Sequence, residues 1–79
     1  MDYSLLAWRL GKHIREKRIN RGYTQAKLAG LTRQKVIAVE KGALCVSMVA
    51  YARVLGALDC ELTVIPAAMP TLEELAELF

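Results

Sequence analysis

Three glycines, each followed within five residues by a hydroxyl side chain, divide the first 58 residues into short segments: Gly22 then Thr24, Gly30 then Thr32, Gly42 then Ser47. Glycine tolerates the left-handed conformation in which helices end, and serine or threonine accepts hydrogen bonds from the free amides where helices begin. A chain punctuated in this way folds as several short helices joined by tight turns.

The segments carry the matching patterns. Ser4 is placed to cap a first helix running from Leu5 to about Asn20, with Leu6, Leu10 and Ile14 at intervals of four and Arg9, Lys12, Arg15 and Lys17 on the remaining faces. Asn20-Arg21-Gly22 supplies a turn, after which Thr24 caps a second helix to about Ala29. Gly30 suits a left-handed turn, and Thr32 caps a third helix from Arg33 to about Lys41 on which Val36 and Val39 point the same way. A fourth helix starts after Ser47 and runs to about Leu58, with Met48, Tyr51, Val54, Leu55 and Leu58 at core spacing.

Beyond Leu58 the texture changes. Glu61-Leu62-Thr63-Val64-Ile65 alternates polar and apolar side chains, is rich in β-branched residues and is closed by Pro66, so it reads as a short strand. A lone strand leaves its backbone groups unpaired on both edges, and the simplest partner is the same strand of a second copy, antiparallel across a two-fold axis. The alternative is an extended tail packed on its own helices. After Pro70, Thr71 and Glu74 form a capping box for a short terminal helix whose Leu72, Leu75, Ala76 and Phe79 share one face. The expected architecture is all-α: a bundle of four helices over residues 1–58, then a dimerisation strand and tail over residues 59–79.

Charge is distributed as unevenly as hydrophobicity. Ten of the eleven Lys and Arg residues lie between Arg9 and Lys41, where the only acids are Glu16 and Glu40. After Gly42 the sole base is Arg53, against Asp59, Glu61, Glu73, Glu74 and Glu77. A basic front half points to a polyanionic partner, since clustered bases release counterions from nucleic acid. A chain that served only as a protein-interaction module, binding a partner through its acidic, apolar tail, would have no need of that clustering.

Several other classes fit poorly. Cys45 and Cys60 stand alone, with no CxxC or histidine pair, so neither a disulfide framework nor a zinc site is indicated and both are expected as reduced, mostly buried thiols. No cofactor motif is present. The single histidine, His13, has no nucleophile or acid arranged around it, which argues against an enzyme. The aromatics Tyr3, Trp8, Tyr23, Tyr51 and Phe79 are too scattered for an RNA-stacking platform. Leu5 to Trp8 is too short for a signal-peptide core, and Ala43 to Ala52 falls well below the roughly 20 residues of a membrane span. A cytoplasmic protein with no membrane partner is expected.

Two short helices joined by a glycine-containing turn, the second opened by a capped, basic segment, form the motif that lays a helix in the major groove of DNA. In that arrangement Arg33 can pair with guanine and Gln34 with adenine, Lys35 faces phosphate or solvent, and Ile37 offers an apolar contact to a thymine methyl or packs inward. Thr24 and Gln25 open the second helix, where amides and the glutamine side chain can hold a phosphate. Thr32, Lys41 and Arg15 complete the expected DNA-facing set.

These residues resemble a known family. Lys12 to Arg21, Gly22-Tyr23-Thr24-Gln25, Leu28-Ala29, and above all the block from Gly30 to Gly42 look like the XRE family of Cro and lambda-repressor-like DNA-binding domains, over about Leu10 to Leu58. The resemblance implies an ion pair between Arg18 and Glu40 that locks the first helix onto the recognition helix. The usual family spacing has about three more residues before the turn glycine, so the second helix here is shorter by about 4.5 Å at about 1.5 Å per residue. The strand over Glu61, Leu62, Thr63, Val64 and Ile65 resembles the HipB-type antitoxin branch, whose subunits pair through a C-terminal strand. That likeness implies a homodimeric repressor of its own operon, binding a palindromic operator in the bacterial cytosol or nucleoid, with a cognate toxin protein as a further partner.

Overall fold

A computed structural model describes residues 2–25, 28 and 30–78, with side chains to residue 76. Among them it is all-helical: α1 Tyr3–Asn20, α2 Arg33–Glu40, α3 Met48–Ala57 and α4 Leu72–Leu78. The expected helix from Thr24 to Ala29 lies in part outside the described residues, as does Phe79 of the terminal face. Of that stretch, Gln25 has 3-10 geometry and Leu28 is fully buried. No helix among the described residues is long and apolar enough to cross a membrane.

The cap of α1 differs from expectation. Asp2, not Ser4, holds the first turn, its Oδ1 accepting from the Ser4 amide at 2.7 Å, so the helix starts at Tyr3. Aspartate caps at least as well as serine and adds a negative charge at the positive helix end.

Three helices end in the same way. At α1 the Tyr23 amide donates to the Arg18 carbonyl and the Gly22 amide to Ile19. At α2 Ala43 donates to Ala38 and Gly42 to Val39, and at α3 Cys60 donates to Leu55 and Asp59 to Gly56. This paired closure requires a left-handed residue at its corner. Gly22 and Gly42 supply it at φ 73°, and Asp59 does so at φ 56°.

The core gathers Ile14 from α1, Leu28, Val36 and Val39 from α2, and Ala50, Tyr51, Val54, Leu55 and Leu58 from α3 and its end. Each fully buried aliphatic side chain contributes about 1.5–3 kcal/mol relative to exposure. The Tyr51 hydroxyl donates to the Ala43 carbonyl at 2.9 Å, which satisfies its polar tip, and burial pushes its pKa up.

Backbone approach decides which face of α1 is inside. A Cβ on Gly11 would lie 2.6 Å from the Glu40 carbonyl oxygen and 2.7 Å from that of Val39, and one on Gly42 would lie 2.7 Å from the Ala7 carbonyl oxygen. α1 therefore meets the end of α2 and its closing glycine main chain to main chain at Ala7 and Gly11. This turns Leu6 outward, 60% exposed, although its spacing from Leu10 and Ile14 suggests a core position. Met48 is likewise exposed, one turn before Tyr51 and past the edge of the core. Cys45 is exposed on the loop between α2 and α3, and Cys60 is only partly buried, so the thiols are not both interior.

Residues 61–65 have no regular secondary structure, and no strand occurs among the described residues. A ladder needs a partner, and the described residues of the single chain offer none. The tail instead folds back on α1. The Arg9 guanidinium donates to Glu74 through Nε at 2.5 Å and Nη2 at 3.1 Å, and both terminal nitrogens donate to the Ala68 carbonyl at 3.2 Å. The capping box forms reciprocally, with Thr71 N–H to Glu74 Oε1 and Glu74 N–H to Thr71 Oγ1 both at 3.1 Å.

Candidate nucleic-acid interface

α2 is eight residues long and buries Val36, Val39 and Glu40. Thr32 caps it, its Oγ1 accepting from the Lys35 amide at 3.2 Å, and the turn before it passes through Gly30 at φ 67°. Val36 and Val39 are fully buried on one side. Arg33, Gln34 and Lys35, the first turn, are exposed, while Ile37 is half-buried. A helix presenting an open N-terminal turn with arginine, glutamine and lysine offers paired donors, an amide and a point charge to an external ligand.

What holds α2 in place is a carboxylate. The Glu40 side chain is only 3% exposed and is surrounded by donors. Arg18 donates through Nε to Oε2 at 2.6 Å and through Nη2 to Oε1 at 3.2 Å, a two-pronged grip, and its Nη1 also donates to the Tyr23 carbonyl at 2.9 Å. One side chain thus ties α1, the turn after it and the end of α2. Arg15 lies 4.0 Å from Glu40 Oε1 and is otherwise exposed.

Gln25 does not extend toward solvent to hold a phosphate, as its place in the sequence suggests. Its Nε2 donates to Glu40 Oε1 at 3.3 Å, because the buried carboxylate offers a charged acceptor at short range. The structure therefore brings Arg15, Arg18, Gln25 and Glu40 to one point. Thr24, Thr32 and Lys41 are exposed near the ends of their segments. On α1, Lys12 stacks over Trp8 with Nζ 5.1 Å from the ring centroid, a cation–π contact, and His13 is exposed. Glu61, Leu62, Thr63, Val64 and Ile65 are all exposed and lie apart from this cluster in the chain.

Two features escape sequence reasoning. The Gly11 contact has no periodic signal, since glycine in a helix is usually read as neutral or unfavourable. The Arg9–Glu74 pair spans 65 residues and joins segments that share no pattern. Among the described residues, no three His, Cys, Asp or Glu side chains converge as a metal site would require. No protein-family model matches the chain, and no curated protein matches it.

Proposed function

We propose that the chain is a sequence-specific DNA-binding repressor that acts as a homodimer, with α2 as the helix entering the major groove. The observation that carries the reading is the exposed first turn of α2, Arg33, Gln34 and Lys35, on a helix anchored by buried Val36 and Val39 and by the Arg18–Glu40 pair. A reading head held on a firm support is what base recognition requires, because each bidentate contact needs defined geometry. The concentration of ten bases between Arg9 and Lys41 supports a polyanionic partner.

On this reading the fold is a lambda-repressor-like helix-turn-helix of the XRE family, and residues 61–65 become a strand when two copies pair. The likeness to the HipB-type branch supports a cytosolic antitoxin that represses its own operon and binds a toxin. The exposed Met69 and Leu72 favour a second reading, a module that neutralises a protein partner without reading DNA.

The test is a mobility-shift titration on the DNA upstream of the chain's own gene, with unrelated DNA as competitor. A discrete complex that resists competitor is the expected result. Binding abolished by competitor, or absent at physiological salt, overturns the repressor and leaves the interaction module.

A further inference from the structure

We infer that Arg9 is a positioning residue for self-association: by clasping the tail it suspends residues 61–67 as an edge for a second copy of this chain. The inference rests on the dimer reading above.

The segment is held at both ends. At one end the α3 closure fixes Cys60, whose amide donates to the Leu55 carbonyl at 2.9 Å and whose side chain packs against the core. At the other, Arg9 holds the Ala68 carbonyl and, through Glu74, the capped start of α4. Arg9 and Glu74 are 21% and 16% exposed at their side chains, low for two charged groups near a surface. Between these anchors no backbone group of residues 61–67 makes a hydrogen bond among the described residues. Val64 is 99% exposed, and Leu62 and Ile65 are also open. Pro66 and Pro70 bias the residues before them, Ile65 and Met69, toward extended backbone.

The segment is self-complementary. In an antiparallel register centred on Thr63, Leu62 lies opposite the second copy's Val64 on one face and Glu61 opposite its Ile65 on the other. Apolar side chains then pair across the axis and the two Glu61 carboxylates stay apart. An anchored segment has already lost the freedom that pairing would take from a loose tail, so the clasp strengthens association without touching the partner.

The experiment measures the monomer–dimer constant of the full chain by sedimentation equilibrium, with helix content from circular dichroism as a check on folding. Arg9→Gln and Glu74→Gln are expected to weaken the dimer by about tenfold with helix content retained, as loss of preorganisation predicts. Arg9→Lys, which keeps a charged donor for Glu74 and the Ala68 carbonyl, is expected to dimerise more tightly than Arg9→Gln. Arg9→Gln and Glu74→Gln variants that dimerise as the wild type does, or an Arg9→Lys variant no tighter than Arg9→Gln, overturn the clasp while leaving the dimer intact. A wild-type chain that stays monomeric overturns the dimer reading and the clasp's role with it.

Discussion

Glu40 and Arg33 belong to the same short helix and do opposite work. Glu40 is an acceptor sunk among Arg18, Arg15 and Gln25. Removing one partner from a buried carboxylate leaves an uncompensated charge, at a cost of about 3–5 kcal/mol. Arg18→Ala should therefore lower the unfolding free energy by about that amount in a urea titration. A loss below about 1 kcal/mol would mean that Arg15 and Gln25 suffice to hold the carboxylate. Arg33 is exposed in the free chain. Arg33→Ala should leave stability unchanged, weaken binding to the operator by about 1–3 kcal/mol and relax specificity at one base pair. An equal loss on every DNA sequence would assign Arg33 to phosphate.

Among the elements, α4 owes its position to charge more than to burial, since Leu72 and Leu75 remain exposed in the single chain. The Arg9 hydrogen bond, then the Thr71 amide, hold the Glu74 carboxyl down at about 2, against an ordinary 4.5. A depressed carboxylate stabilises the docked state fully above its unfolded value and loses that contribution as pH falls through the folded one. The docking of α4 should thus be complete at neutral pH and weaken between pH 4.5 and about 2. An NMR titration of the Glu74 carboxyl should give a midpoint near the lower figure, and a midpoint near the upper one would show the clasp open in solution. The closures of α1 and α2 are legible in Gly22 and Gly42. The closure of α3 is less so, because Asp59 takes the left-handed corner without a glycine to announce it.

For the whole molecule, the open question in a single copy is what pairs with residues 61–65. Val64 is almost fully exposed, so Val64→Pro should leave helix content and folding untouched while removing a ladder donor. If the strand-paired dimer is correct, this variant should sediment as a monomer where the wild type sediments as a dimer. An unchanged mass would remove the strand-pairing arrangement. A second copy would also give a chain of 79 residues the buried area that so small a domain otherwise lacks.

Local chemistry alone determined much of this protein. Helix ends at Gly22 and Gly42, the caps at Thr32 and Thr71, and the buried side of α2 at Val36 and Val39 depend on neighbours within a few residues, so the chain states them directly. The Arg18–Glu40 pair was legible only through a family resemblance, since nothing in the spacing of two charges 22 residues apart singles them out. Tertiary structure decided the rest: the outward turn of Leu6, the inward turn of Gln25, the main-chain contact at Gly11 and the clasp of Arg9 on Glu74. Each of these follows from how closely two helices approach or how a tail returns, and such distances are set by the packing of distant segments, which no local pattern records.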